Sequence, residues 1–577
     1  MKSALLKADF PVVLPGIRSV VVLAFLGAGL LALLGRAVYL QAINTGFLQS
    51  QGNSRFSRVV EIPAHRGKIT DRHGAPLAIS TPVKSLWAFS GQIEATPEQW
   101  HKLAGLLETS AAELQTRLRD AGDFLYLKRG LPPEIAEQVM ALHIKGIYEQ
   151  REYRRYYPAG EVAAHLVGLT DIDDNGQEGI ELGQQSWLGG KPGSRRVIIN
   201  RRGEAVEDIE GVRRPQEGRE LALAIDQKLQ FLAFRELQAA VSANRAKAGG
   251  AVVLDALTGE ILALANLPSF NPNNRSKIVR DKARNRALTD TFEPGSTLKP
   301  FTIAAALEAR KIRPDTTIQT GGGTLQIGSA TIHDSHPYEA LTVEQVIQKS
   351  SNVGAARIAL SLPAETLWRT LAQAGFGNTP QTGFPGEVAG RLRPAKNWRP
   401  IEQATIAYGH GISVNLVQLA RAYTVFASEG DLKPVSLLKT AGPIAGQPML
   451  SRETALAVRK MLELAVQPAG TAPKAQVPGY RVAGKTGTAH KVEGNGYAAN
   501  KYVSSFVGLA PASNPRLIVA VMLDEPSAGQ HFGGAVAAPV FSRIMGEALR
   551  GLAIPGDAPQ QNSLLPPGDL PEVREET

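Results

Sequence analysis

The sequence predicts an α/β fold: an α/β sandwich domain, preceded by a β-rich domain and by one N-terminal transmembrane helix. Three observations lead there. The run from Ser19 to Gly35 carries no charge and is mostly aliphatic. Residues 41 to about 220 read as extended segments broken by turn residues. From Leu221 onward, helical patterns alternate with apolar strands placed both early and late, which is how one sheet comes to be covered by helices.

Extended to Leu40, the apolar run holds 22 residues with Arg36 as its single charge. At about 1.5 Å per residue such a helix spans roughly 33 Å, enough for a bilayer core of about 30 Å. Lys2, Lys7 and Arg18 precede it against one acid, Asp9, so the N-terminus is expected in the cytoplasm. Arg36 can snorkel to the outer interface beside Tyr39. A cleaved signal peptide has a shorter apolar region followed by small residues. The length here favours an uncleaved, single-pass anchor, with the rest of the chain outside the cytoplasm. The expected divisions are a cytoplasmic tail (1–18), the transmembrane helix (19–40), a pedestal (41–220), the α/β sandwich domain (221–554) and a disordered tail (555–577) rich in proline and acids.

Within the pedestal, Thr96-Pro97-Glu98 reads as a helix start. The segment from Ile62 to Gly74 sets turn glycines between charged residues and reads as a salt-bridged structural junction rather than a catalytic site. Arg213 to Gly218 is polar, with Pro and Gly, and reads as the linker. Beyond it come an apolar stretch, Leu221 to Ile225, and a helical one, Gln227 to Ala243. Two β-rich runs follow, 250–255 and 260–265, joined by the hairpin signature Ala256-Leu257-Thr258-Gly259. Val503 to Ala510 and Leu517 to Leu523 are two further apolar strands.

Composition narrows the function classes. At 577 residues two or three domains are expected. With no cysteine, disulfides, thiolate catalysis and Cys-based zinc sites are excluded together. The net charge of +10 suits an anionic partner, but aromatics are only 6% and no long basic run stands out, so no nucleic acid is expected. No His-Glu-x-x-His is present, and His333-Asp334-Ser335-His336 beside Pro337 reads as a surface loop; neither a metal nor a cofactor is expected.

The chemistry concentrates in short motifs. Phe292-Glu293-Pro294-Gly295-Ser296-Thr297-Leu298-Lys299-Pro300 places a serine and a lysine three residues apart at the start of the helical stretch 301–307. A serine hydroxyl needs a base within hydrogen-bond reach, and residues three apart share a helix face, so Lys299 Nζ can sit beside Ser296 Oγ. Pro300 is tolerated only near a first turn, which pins the helix start close to Ser296. Ser-x-x-Lys recurs at Ser436/Lys439, in a strand-like run where the two need not meet. Ser350/Asn352 follows the capping box that begins at Thr342 and stands in a polar loop between helices; Ser413/Asn415 is the rival Ser-x-Asn. Gly484-Lys485-Thr486-Gly487-Thr488 occurs once. It overlaps a Walker A pattern, Gly479 to Thr486, but no buried strand precedes it; Tyr480-Arg481-Val482 reads as strand, and Gly487 interrupts any helix.

In this order, Glu293–Pro300, Lys349–Gly354 and Lys485–Thr488 resemble the motifs of class B penicillin-binding proteins, closest to the division-specific penicillin-binding protein 3 (FtsI) type. The likeness extends to Arg66-Gly67-x-Ile69-x-Asp71-Arg72-x-Gly74, Tyr157-Pro158-Ala159-Gly160-Glu161, Tyr408-Gly409-x-Gly411 and Gly533 to Phe541. It implies a penicillin-binding transpeptidase (serine β-lactamase-like) domain that cross-links peptidoglycan stem peptides ending in D-Ala-D-Ala at the septum, and that β-lactams acylate. Carried over residue by residue, it implies Ser296 as nucleophile, Lys299 as base, Ser350 as proton relay and Asn352 as orienter of Lys299. Lys485, Thr486, Gly487 and Thr488 would bind substrate, with the backbone N–H groups of Ser296 and Thr488 as oxyanion hole. Implied partners are a polytopic membrane glycosyltransferase and other division proteins; the implied location is the cell inner membrane with the catalytic domain periplasmic. A membrane-anchored β-lactamase or β-lactam sensor uses the same serine-lysine site and stands as the alternative, although no Glu-x-x-Leu-Asn sequence is present.

Overall fold

The computed structural model describes residues 16–45, 57–121, 124–199, 205–208, 213–275, 278–494 and 496–559. The two tails expected at 1–18 and 555–577 lie mostly outside these. The chain divides into two compact units, Met1–Ala64 with Lys191–Gln216, and His65–Gly190 with Glu217–Thr577.

In the first unit the apolar run forms a helix, Gly16–Val38, that continues into a wider turn, Tyr39–Ile43. It starts ahead of Ser19 because Ile17 carries the apolar pattern past Arg18. Mean hydropathy is 2.3 and none of its residues is buried, so its apolar surface has no partner among the described residues. The Arg36 guanidinium lies over the Tyr39 ring, 5.4 Å from its centre. The same unit holds a three-stranded antiparallel sheet of Ser57–Ile62, Gly193–Ile199 and Ala205–Asp208. The polar stretch expected as a linker is partly paired. Arg213 exchanges backbone hydrogen bonds with Ser194, and Gln216 with Lys191, at 2.8–2.9 Å. Backbone pairing is indifferent to side-chain polarity, so composition alone reads such a segment as a connection.

In the second unit the pedestal part is built on a long strand, Pro76–Phe89, paired with Phe124–Leu131 and Ile147–Tyr156. Helices Pro97–Leu106, Ala111–Asp120 and Pro133–Met140 pack a small separate core around Leu86, Leu103, Leu114 and Leu127. Thr96 caps the first of them in a reciprocal box with Gln99, as its sequence position suggests. The charged segment before Gly74 is a junction. Arg66 Nε and Arg155 Nε both donate to the fully buried Glu181 carboxylate, at 2.7 and 2.6 Å. Asp71 accepts from the N–H groups of His73, Ala75 and Gln227, while Arg72 reaches Glu260 at 3.2 Å.

The remainder is a five-stranded antiparallel sheet. Its strands are β1 (Ala248–Asp255), β2 (Ile261–Leu267), β3 (Ala483–Glu493), β4 (Gly496–Ala510) and β5 (Leu517–Asp524), in spatial order β2-β1-β5-β4-β3. Every residue of β1 and β2 is buried, which requires cover on both faces. Alternate side chains go to opposite layers. Val252, Leu254, Ile518 and Ala520 enter one core, and Ala251, Val253, Val519 and Val521 the other. Helices Gln227–Ala243 and Ala538–Gly551 cover the second face. The first packs against a large helical layer whose core also takes in Ile69, Leu77, Leu166 and Ile180 of the pedestal. An α/β sandwich results, with β3 at one edge of its sheet.

Candidate active site

Three chain segments meet at the β3 edge. Ser296 sits in a 3₁₀ turn, Gly295–Leu298, that leads into helix α1 (Lys299–Glu308) with Pro300 in its first turn. In 3₁₀ geometry residues three apart eclipse one another. Lys299 Nζ accordingly donates to Ser296 Oγ at 2.8 Å. Lys299 is fully buried while Ser296 is partly exposed, so the hydroxyl is reachable and the amine shielded.

Ser350 ends helix α2 (Val343–Lys349), whose start carries the reciprocal Thr342/Gln345 box read from the sequence. Its backbone is left-handed (φ 63°, ψ 35°), a conformation costing a non-glycine residue roughly 1 kcal/mol or more. That reversal separates α2 from α3 (Asn352–Leu360) by two residues and turns the Ser350 hydroxyl to both lysines. Lys299 Nζ lies 3.1 Å from Ser350 Oγ and 2.8 Å from Asn352 Oδ1, and donates to the Ser350 carbonyl as well. Lys485 Nζ, fully buried on β3, lies 2.9 Å from Ser350 Oγ and 3.1 Å from Thr486 Oγ1. A continuous chain thus runs from Ser296 through Lys299 and Ser350 to Lys485. Of the side chains expected to be catalytic, Ser296, Ser350 and Asn352 all lie within hydrogen-bond distance of Lys299 Nζ.

The substrate-side residues line the same edge. Gly487 lies where β3 meets the serine turn; a Cβ there would stand 2.6 Å from Pro294 O. Gly295 (φ 54°) fits closely in turn, since a Cβ on it would come within 2.9 Å of Thr488 O. Thr488 Oγ1 accepts from Gly533 N at 3.0 Å, which fixes the hydroxyl from behind. Thr486 pairs with Thr471 at 3.1 Å. Beside the serine turn, burial and then the Lys299 charge push the His410 imidazole down to about 4, and burial pushes the Tyr408 hydroxyl up to about 12.

The rival motifs are placed elsewhere. Ser436 Oγ donates to Leu438 O and Lys439 Nζ to Arg72 O, so that pair does not meet. Asn415 is fully buried and caps the helix Leu416–Ala422. The Walker A overlap has no phosphate cradle: Lys485 and Thr486 lie within an extended strand. That strand begins at Ala483. Tyr480-Arg481-Val482, expected as strand, is a loop with one bridge to Val477, held by the Arg481 pairing to Glu463. One contributor carries a role that its sequence position does not reveal. Asp334, in the partly exposed loop 334–337, accepts from Asn352 N at 2.5 Å, Val353 N at 2.9 Å and Ser351 Oγ, capping α3 and holding Asn352 in place. Such a cap lies 18 residues from its helix, beyond any local spacing rule. Among the described residues no group of three or more His, Asp or Glu gathers as for a metal ion.

Comparison with known proteins agrees with this geometry. The penicillin binding protein transpeptidase domain family matches residues 249–546, and the penicillin-binding protein dimerisation domain family residues 61–223. A probable peptidoglycan D,D-transpeptidase, PbpC of Pseudomonas aeruginosa, is 44% identical over 94% of this chain and 96% of its own length. The peptidoglycan D,D-transpeptidase FtsI of Escherichia coli K12 is 41% identical over 91% of this chain and 90% of its own. The transpeptidase domain of Burkholderia pseudomallei penicillin-binding protein 3, in its apo form, superposes with a TM-score of 0.54 at 51% identity, covering 58% of this chain and 98% of that domain. A buried lysine beside a reachable serine, one edge strand bearing Lys-Thr-Gly-Thr, and likeness along nine-tenths of the sequence lead to one conclusion: the chain belongs to the class B penicillin-binding proteins of the FtsI type.

Proposed function

We propose that this protein is the peptidoglycan D,D-transpeptidase of a division machinery, and that it works as follows. Ser296 Oγ attacks the penultimate D-Ala carbonyl of a donor stem peptide while Lys299 takes the hydroxyl proton. The oxyanion faces the backbone N–H groups of Ser296 and Thr488, and Lys485 with Thr486 and Thr488 holds the terminal carboxylate. The C–N bond breaks, Ser350 relays a proton to the departing D-Ala amine, and Ser296 is left as an ester. An amine of a second stem peptide then attacks that ester, and the released Oγ regains a proton along the same path. A β-lactam enters as a mimic of the D-Ala-D-Ala unit and stays on Ser296.

The observation that supports this reading most is the unbroken hydrogen-bond path from a partly exposed serine to two buried lysines. Residues 41–220 act as a pedestal and 221–554 as the catalytic domain, anchored once in the inner membrane with the N-terminus cytoplasmic and the catalytic part periplasmic. The exposed helix Gly16–Val38 is consistent with that anchor. A polytopic glycosyltransferase supplies the glycan and, with other division proteins, contacts the anchor and pedestal. The decisive experiment labels the purified full chain with a β-lactam and maps the adduct by peptide mass spectrometry. A stable adduct on Ser296, lost in Ser296→Ala, is expected. An adduct elsewhere would refute the assignment, and rapid hydrolysis of the lactam would favour a β-lactamase.

A further inference from the structure

The hydrogen-bond path through the site does not end at Lys485. Lys485 Nζ lies 3.1 Å from Thr486 Oγ1, and Thr486 Oγ1 lies 3.1 Å from Thr471 Oγ1. Thr471 is 15 residues earlier, in the loop between the helix Arg452–Val466 and β3. That loop is tied down on both sides of Thr471. Ala472 N donates to Ala465 O at 2.9 Å, and Ala475 N to Ala472 O at 3.0 Å. Gly534 packs against it closely: a Cβ there would stand 2.2 Å from Thr471 O and 3.5 Å from Thr486 Cγ2. Thr471 is 4% exposed and Thr486 0%, so the two hydroxyls meet away from bulk water.

Donor chemistry sets the direction of these bonds. An ammonium has three donors and no acceptor, whereas a hydroxyl has one donor and two acceptor positions. Lys485 therefore donates to Thr486 Oγ1, and Thr486 has to aim its own proton away from the ammonium. Thr471 Oγ1 stands within reach to accept that proton. With no oxygen at position 471, nothing there opposes rotation of the Thr486 proton towards the ammonium, and each such rotation breaks the Lys485–Thr486 bond. The consequence reaches the active site, because Lys485 is a compact charge on a flexible stem and takes its aim from the hydroxyls around it. Ser350 Oγ, at 2.9 Å, is the other of these.

We propose that Thr471 is a positioning residue for recognition of the substrate carboxylate: by accepting the Thr486 proton it turns a Thr486 lone pair to Lys485 and fixes the aim of that ammonium. The inference rests on the transpeptidase reading, in which Lys485 anchors the terminal carboxylate, and adds to the anchor a residue from outside β3. Thr471 acts only through Thr486, since it is buried and its hydroxyl meets Thr486 rather than Ser296. Its loss therefore weakens the hold on a carboxylate and leaves the Ser296–Lys299 contact in place.

The test compares acylation of the full chain in detergent by a fluorescent penicillin and by the methyl ester of the same penicillin. The quantity read is the ratio of the two second-order rates, to which only folded, reactive molecules contribute. The wild-type protein should favour the free acid by about tenfold or more, the discrimination expected from one charged hydrogen bond. Thr471→Val keeps the side-chain volume and removes the hydroxyl. It should lower the acid-to-ester ratio about fivefold, the effect of one neutral hydrogen bond, through weaker binding of the acid before acylation. Thr471→Ser, which returns a hydroxyl, should restore the ratio. Should Thr471→Val fail to fold, Thr471→Ala carries the same expectation. A ratio unchanged without the hydroxyl, or not restored by Thr471→Ser, overturns the inference whatever happens to the melting temperature. Equal rates for acid and ester in the wild-type protein overturn the carboxylate anchor at Lys485 instead, and absence of any acyl-enzyme overturns the transpeptidase reading.

Discussion

Gly487→Ala tests how tightly the serine turn is fitted to its edge strand. The added methyl would lie 2.5 Å from Ser505 Oγ, 2.6 Å from Pro294 O and 2.9 Å from Thr297 Cγ2. Ser505 can rotate its hydroxyl away. The Pro294 carbonyl cannot yield so cheaply, because it accepts from Thr297 Oγ1 at 2.7 Å and sets the turn that presents Ser296. Restoring an ordinary contact from 2.6 Å means parting strand and turn by roughly 0.8 Å, and overpacking of this kind costs about 1–3 kcal/mol. Misplacement of reacting groups by about 1 Å costs up to roughly a hundredfold in rate. The second-order rate of acylation by a fluorescent β-lactam, measured by stopped flow, should therefore fall between about tenfold and a hundredfold, with a modest drop in melting temperature. Acylation within about twofold of wild type, at an unchanged melting temperature, would show that the gap is not needed and refute the reasoning.

Two further outcomes concern stability. Glu181→Gln leaves the buried Arg66 and Arg155 guanidinium groups without their shared carboxylate, and removing one partner of such a cluster costs about 3–5 kcal/mol. The urea midpoint should fall clearly while Ser296 of the folded fraction still reacts with a β-lactam; an unchanged midpoint would contradict the packing described. His165 is buried against Lys282 O at 2.8 Å, and burial, aided by the Arg286 guanidinium, pushes its imidazole down to about 4. The unfolded chain, titrating near 6.5, takes up that proton first. The stabilisation is therefore complete above pH 6.5 and is lost as the pH falls towards 4, up to roughly 3 kcal/mol. Melting temperature against pH should drop more steeply over this window in the wild type than in His165→Gln, and parallel curves would rule the effect out.

What could be read in the sequence is what depends on neighbours along the chain. Ser296 and Lys299 are three residues apart, Thr342 caps its own helix, and β1 and β2 form a hairpin, so spacing and turn chemistry sufficed for each. The convergence of the three motifs came only through resemblance, because Ser350 and Lys485 touch across 135 residues. Asp334 was beyond reach for the same reason: its role is to cap a helix whose start is far along the sequence. Tyr480 to Val482 carries strand propensity that the Val477–Tyr480 turn overrides, and Arg213 to Gln216 carries linker composition that backbone pairing overrides.

The strand order of the sheet also dictates when the protein acquires its reactivity. Asp255 at the end of β1 pairs with Leu517, so the middle of the sheet stays open until residues 517–524 have been made. Ser296 and Lys299 emerge in the meantime as an ordinary alcohol and an ordinary amine, with neither Lys485 nor the edge strand yet made. A chain ending before β3 lacks Lys485 and the edge strand, so the nucleophile is switched on only when that strand has been made and has folded against the serine turn.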